Sequence, residues 1–481
     1  MGLHMTTRRA GLLLHPSSLS GPYGIGDIGP SARNLMGWLE SAGIRLWQFL
    51  PLNPVDGLGC PYASPSAFAA EPLLISIDDL ITDGWLKATE RPLFPGSIDR
   101  VDWSWVHQFK GAALRVAAAR VAQAVDVRAW AVERDWVLPW ATFSAHRDVH
   151  GGEWQAWPAK LGAVDDAVVD VHIALQWLFD QQWSRLREVA RSHGIALWGD
   201  LPMFVGASSA DTWSHPELFQ LGQDQRPSVV TGAPPDAFSP TGQKWGHAHF
   251  DVERHRDTDH AWWVSRMSRL LEHVDAVRLD HFRGLAAVWE IPAHDPDATG
   301  GRWVPGLGAP LLAALQTAFG SVPVIAEDLG VITPDVSELR DAFGLPGMAI
   351  AQFAYTDNSD ASQPYLPHNH RASLVVYPGT HDNDTVVGWY ASADERTRDH
   401  VRRYLAVSGN DIAGDILRSV YRSVADTCIV ALQDVLALGG GARMNRPGTS
   451  YGNWQWRCRA DALNVGVARR LREEANLSGR I

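Results

Sequence analysis

Ala276-Val277-Arg278-Leu279-Asp280-His281-Phe282-Arg283-Gly284 is the stretch whose reading decides the fold. It opens as a short apolar, β-branched run, which reads as a buried strand, and it closes on a carboxylate. Three other stretches share the plan. Pro323-Val324-Ile325-Ala326 runs into Glu327, Leu374-Val375-Val376-Tyr377 runs on to Asp382, and Ile195-Ala196-Leu197-Trp198 runs into Gly199-Asp200-Leu201-Pro202. Polar residues at the C-terminal ends of buried parallel strands are where a (β/α)₈ barrel keeps its chemistry.

Cleaving an acetal between sugars needs two carboxyl groups in different states, one ionised and one protonated. Asp280 fits the ionised role. Arg278 lies two positions before it, so on a strand the two side chains point the same way, and a guanidinium favours the charged carboxylate. Glu327 follows an apolar strand, where desolvation raises its pKa, and fits the proton donor. Asp328 beside it is expected to face the other way. Asp382 is a third carboxylate, suited to holding sugar hydroxyls and distorting the ring. A single such acid reads as readily as a helix cap; three ending three strands of one barrel do not.

The chain has 481 residues, 42 Lys plus Arg against 54 Asp plus Glu, and a net charge of −12. That length suits a barrel with large insertions. The acidic balance is a poor match for nucleic acid or an anionic membrane, and a neutral substrate would be indifferent to it. Cys60, Cys428 and Cys458 are few, odd in number and without metal spacing. They point to a reducing compartment, hence a cytoplasmic enzyme. No run reaches the length of a membrane span, and Gly11 to Leu14 is too short for a signal-peptide core. Met1 to Thr6 fits the myristoylation pattern in form only; Met1 to His4 reads as a remnant ahead of Met5. The 22 Trp are expected mainly in the core, with some serving as platforms for sugar rings.

In chain order, Gly11 to His15 reads as the first strand, Ser31 to Ala42 as a helix and Arg45 to Leu50 as the second strand, an order that favours a parallel sheet. Gly24-Ile25-Gly26-Asp27-Ile28-Gly29 spells a dinucleotide fingerprint, yet it lies well after its strand and no acid follows at the required distance. It is expected to be a loop that needs positive φ. About 51–190 forms an inserted loop and helical subdomain, with helices over Gly111 to Val127 and Val171 to His193. His146, Asp148 and His150 within it read as a surface cluster. A second insertion, about 202–263, carries a Pro- and aromatic-rich lid from Pro234 to Gly246; His247, His249, His255 and His260 after it fit no zinc spacing. Strand six is expected over Met348 to Ala354, a helical region over Asp394 to Val424 and strand eight over Cys428 to Leu432. Residues 1–481 read as one catalytic unit.

The set of motifs resembles the 4-α-glucanotransferases called amylomaltase or disproportionating enzyme, glycoside hydrolase family 77 of the α-amylase clan. They are Leu13-Leu14-His15-Pro16 with Tyr23-Gly24-Ile25-Gly26-Asp27, then Pro61-Tyr62 through Ser66-Ala67-Phe68, and Gly199-Asp200-Leu201-Pro202. Pro235-Asp236 to Trp245-Gly246, Arg278 to Gly284, Ala326 to Gly330, Tyr365 to Asn369 and Gly379 to Thr385 follow in the family order, and Arg443-Met444-Asn445 and Gly452-Asn453-Trp454 close it. The resemblance spans nearly the whole chain and is weakest from about 85 to 165. It implies a (β/α)₈ TIM barrel with large insertions after strands two and three and no C-terminal β-domain. It implies a retaining double displacement with Asp280 as nucleophile, Glu327 as acid/base and Asp382 as transition-state stabiliser. Substrate contacts would come from Tyr62, Asp200, Gln243, Trp245, Arg278, His381 and Asn445. The partners implied are α-1,4-glucans, maltooligosaccharides and glucose, with no cofactor and no metal. The chain departs from the family at Gly246-His247-Ala248, where Gly-Asn-Pro is usual, at Phe250 in place of a common tyrosine, and over Tyr355 to Gln363, which is slightly long.

Three other readings compete. An α-1,4-glucan hydrolase would use the same carboxylates with water as acceptor. A nucleotide-dependent oxidoreductase rests only on Gly24 to Gly29. A glucan-binding protein without activity would need a lost carboxylate, and none is lost.

Overall fold

The computed structural model describes residues 8–235, 239–355, 360–449 and 451–481. Met1 to Thr6, the lid residues Asp236-Ala237-Phe238 and part of the Tyr355 to Gln363 stretch lie outside them. Eight short buried strands form one parallel sheet: β1 (Arg9–Leu13), β2 (Leu46–Gln48), β3 (Ala196–Leu201), β4 (Ala276–Leu279), β5 (Val324–Ala326), β6 (Gly347–Ile350), β7 (Leu374–Tyr377) and β8 (Thr427–Ala431). Each pairs with its neighbours in sequence except β5 with β6, and β8 returns to β1. Their near-continuous apolar character follows from burial on both faces.

Between β5 and β6 the ladder shrinks to one backbone bond, Ala326 N–H to the Pro346 carbonyl at 2.8 Å. Asp328 completes this seam. Its carboxylate accepts the Met348 N–H at 2.8 Å and pairs with Arg340, and both side chains are buried. The outward direction expected for Asp328 is thus a structural position at the seam.

Helices lie between the strands. Pro30–Ser41 follows β1 with Pro at its first position, where the missing N–H costs nothing. The helix before β3 runs Asp166–Ser192 and starts earlier than expected from Val171, because the Asp165 side chain caps it through the Ala167 N–H at 2.9 Å. Gln176 and Gln182 on this helix are buried and bond the backbone of Ala70 and Ser76. They anchor the long loop after β2 from below. The 394–424 region is two helices, Glu395–Leu405 and Ile412–Arg422, separated where Ala406 turns left-handed at φ 55°. No sheet strand follows β8 among the described residues.

Three expectations need correction. Strand six stops at Ile350 and Ala351–Ala354 is a helical turn; a short buried apolar run does not distinguish the two. The chain turns there because Gln352 Nε2 donates to the Asp384 carbonyl at 2.8 Å. Of the glycines in Gly24 to Gly29, only Gly24 has positive φ, at 75°. Gly26 and Gly29 are required by close approach: a Cβ would lie 2.2 Å from the Pro16 carbonyl oxygen and 2.1 Å from Ser76 Oγ respectively. The second insertion is also not self-contained. A five-stranded antiparallel sheet takes Val205–Gly206, Gln243–Ala248 and Val229–Ala233 from the loop after β3, and Ala287–Pro292 and Arg302–Pro305 from the loop after β4.

Removing one member of a buried ion pair strands the other. Asp328→Ala is therefore expected to cost about 3–5 kcal/mol of unfolding free energy, read as a lower urea midpoint. A loss below about 1 kcal/mol would show that the backbone bond alone holds the seam.

Candidate active site

The C-terminal ends of the strands converge on one network of charge. Asp200 lies within β3 and pairs in register with Arg278 of β4. Arg278 Nη1 donates to both Asp200 oxygens, at 2.9 and 2.7 Å, while Nη2 reaches Asp280 Oδ1 at 3.0 Å. The Tyr62 hydroxyl donates to Asp200 Oδ2 at 2.9 Å. Asp280 follows directly after β4, its N–H held by the Leu201 carbonyl at 3.0 Å; Glu327 follows β5, its N–H held by the Leu279 carbonyl at 3.1 Å. The same-face expectation for Arg278 and Asp280 is met by their contact.

Burial sets the ionisation of this cluster. It pushes Glu327 up to about 8; Arg278 and the His281 N–H oppose the shift, and the negative charges of Asp280 and Asp328 add to it. Burial pushes Asp200 up to about 6 against the pull of Arg278, so it stays ionised at neutral pH. Burial works against the Arg278 charge, but Asp200 and Asp280 outweigh it and hold its pKa above the ordinary value. The Tyr62 pKa is raised by burial and by Asp200, which keeps its hydroxyl a donor. Glu327 thus keeps its proton at neutral pH, the state that acetal chemistry needs of a proton donor.

His281 is a contributor that the sequence did not single out. Its backbone is left-handed at φ 50°, and its N–H donates to Glu327 Oε2 at 2.7 Å. Non-glycine residues seldom adopt this conformation, and it is found where surrounding structure enforces it. Burial lowers its ring to about 4, so the imidazole is neutral. Trp245 meets that ring edge-on at 4.8 Å between centroids, and Trp245 Nε1 donates to Gln243 Oε1 at 3.1 Å. Gln243, Trp245 and His247 alternate on one strand, so they share a face. His247, the departure from the family pattern, lies 6.2 Å from the Phe204 ring, and burial lowers it to about 4.

On the other flank, Asp382 Oδ1 accepts Asn445 Nδ2 at 2.6 Å and lies 3.4 Å from His381 Nε2. Asn445 N–H also donates to the His381 carbonyl at 3.0 Å, and Arg443 donates to the carbonyls of Asp382 and Asn445. Tyr62 stacks on His381 at 5.2 Å with 8° between planes. Arg443 and Trp454, quoted in the tail motifs, were given no role from sequence, yet they reach this group. A small cavity borders His381, lined also by His15, Thr380, Asp384, Asp434 and Arg443.

The loop carrying Tyr62 is a built structure. Glu71 accepts the N–H groups of Val55 and Leu73, Asp56 those of Leu58 and Cys60, and Asp211 that of Ala67. In the group expected at the surface, Asp148 pairs with Arg115 and His172, each at 2.8 Å, but His146 is buried against Trp157 and Trp213. Among the described residues no cluster of three or more His, Cys, Asp or Glu could hold a metal ion.

Comparison with known proteins agrees with this geometry. The family described as 4-alpha-glucanotransferase matches residues 14–463. The 4-alpha-glucanotransferase of Thermus thermophilus is 42% identical over 98% of this chain and 99% of its own length. The chloroplastic/amyloplastic 4-alpha-glucanotransferase of Solanum tuberosum is 42% identical over 94% of this chain and 82% of its own. The amylomaltase from Streptococcus agalactiae, solved in complex with acarbose, superposes with a TM-score of 0.94 at 31% identity, covering 98% of this chain and all (100%) of that one. With a barrel, a carboxylate cluster and a match that runs almost end to end, the chain belongs to the 4-alpha-glucanotransferase family, whose activity is transglycosylation on α-1,4-glucans.

Proposed function

We propose that Asp280, Glu327 and Asp382 carry this reaction as a retaining double displacement. The observation that bears most weight is the Arg278 guanidinium held between Asp200 and Asp280 beside a protonated Glu327. Glu327 gives its proton to the glycosidic oxygen as Asp280 attacks the anomeric carbon. The reducing-end piece departs and a glycosyl ester remains on Asp280. Glu327, now a carboxylate, takes the proton of an incoming 4-hydroxyl, and that oxygen displaces Asp280. Asp382, oriented by Asn445 and flanked by His381, stabilises the positively charged sugar carbon in both steps. Tyr62, Asp200, Arg278, His381, Gln243, Trp245 and Asn445 hold the glucan. The donors are α-1,4-glucans and maltooligosaccharides, of the kind found in starch, glycogen and maltose metabolism; the acceptors are glucose and maltooligosaccharides. The three free cysteines support a cytoplasmic location.

Hydrolysis would differ only in the acceptor. The Trp245–His281 wall beside Glu327 favours transfer, since an indole face takes up a sugar ring and excludes water.

Asp280→Asn, Glu327→Gln and Asp382→Asn are each expected to lower turnover by at least about a thousandfold with the fold retained. Near-normal turnover in any one, free of wild-type protein, removes that residue from the mechanism. Glu327 holds its proton below about 8 and loses it above, so cleavage is expected to slow as pH rises through that value. Because the Asp280 charge raises the Glu327 pKa, Asp280→Asn should lower it, as followed by NMR of ¹³C-labelled glutamate; an unchanged or higher value refutes the coupling. Maltotriose should yield glucose and a ladder of longer maltooligosaccharides with little net gain of reducing ends. Trp245→Ala should raise hydrolysis relative to transfer; parallel loss of both would mark Trp245 as a core anchor. A wild-type protein that mainly accumulates reducing ends would be a hydrolase.

A further inference from the structure

Three rings meet beside the carboxylates. Tyr62 and His381 stack, and Trp454 completes the group at 5.8 Å from Tyr62 and 5.9 Å from His381. The first two belong to different halves of the network. Tyr62 leads through Asp200 and Arg278 to Asp280; His381 leads to Asp382. Trp454 is the ring common to both.

The backbone holds that indole in an uncommon way. Trp454 is left-handed at φ 61° and 5% exposed. Its N–H donates to the Met444 carbonyl at 2.7 Å, and its carbonyl accepts Trp103 Nε1 at 3.3 Å. Trp103 in turn lies where a Cβ on Gly59 would be, 2.0 Å from its indole, three residues before Tyr62. Two tryptophans from distant segments therefore grip the Tyr62 loop. A bulky residue in left-handed backbone is unfavourable on its own and persists where the surrounding structure enforces it.

We infer that Trp454 is a positioning residue that sets the Tyr62–His381 stack and so couples the geometry around Asp280 to that around Asp382. The inference rests on the roles proposed above for those carboxylates. It acts on alignment in the transition state more than on binding, so its loss falls on kcat.

The test measures kcat and KM for maltotriose disproportionation per folded molecule, the folded fraction taken from near-UV circular dichroism. Trp454→Ala is expected to lower kcat about 30-fold with KM changed less than about threefold, in the range that small misplacements produce. Trp454→Phe, which keeps a ring, should stay within about threefold of the wild type. Combining Trp454→Ala with Tyr62→Phe should be no worse than about threefold below the poorer single variant, because coupled residues are non-additive. Effects that multiply, or a Trp454→Ala loss explained wholly by unfolded protein, would overturn the inference. If Trp454→Ala does not fold, Trp454→Leu against Trp454→Phe carries the comparison, and equal kcat for the two would refute it. Asp280→Asn assayed alongside separates this outcome from failure of the carboxylate assignment, which would appear as retained activity in that variant.

Discussion

A guanidinium buried between two carboxylates is the constraint around which this protein is arranged. Arg278 is 4% exposed and Asp200 2% exposed. Charges withdrawn from water to that extent are tolerable only when paired and fully hydrogen-bonded. The parallel register of β3 and β4 places the two residues side by side, and the two-residue period of β4 brings Asp280 to the same guanidinium. Arg278 then has a carboxylate on each side, Asp200 Oδ2 also accepts the Tyr62 hydroxyl, and the Asp280 side chain stays partly exposed. Shifting either strand by one residue would bury an unpaired charge, so the register of the barrel and the presentation of Asp280 share one cause.

The same surroundings set Glu327 apart. Glu327 has no cation of its own. It receives one backbone N–H from His281 and faces the charges of Asp280 and Asp328, and burial does the rest. Glu327 keeps its proton because burial and its acidic neighbours outweigh the pull of Arg278. The left-handed His281 is the hinge of this arrangement: it turns its N–H to Glu327 and its ring to Trp245. A single residue thus joins Glu327 to the Trp245 ring.

The surrounding loops supply what the strands lack. The segment after β2 is fixed by its own acids, Asp56 and Glu71, and by Gln176 and Gln182 from the long helix beneath it. The tail returns over the opposite side, where Asn445 and Arg443 secure Asp382. The small antiparallel sheet, assembled from two loops, carries Gln243, Trp245 and His247 on one face. The barrel provides the carboxylates and the insertions provide the walls, which is the division expected when one fold serves both hydrolysis and transfer.

Much of this was legible in the order of residues. Apolar runs ending in Asp280 and Glu327 located two strand ends, and the spacing of Arg278 and Asp280 gave their common face. Motif order singled out Tyr62, Asp200, Gln243, Trp245, His381 and Asn445 as one group, which local patterning could not have connected. What the order of residues could not supply were contacts between segments far apart in the chain and backbone angles set by packing. The Asp328–Arg340 seam, the left-handed His281 and Trp454, the close approach at Gly26, and the sheet shared by the loops after β3 and β4 all depend on which surfaces meet. Local propensity is written in neighbouring residues; the burial that shifts Glu327, and the distant atoms that force a tryptophan into left-handed backbone, exist only once the barrel has closed.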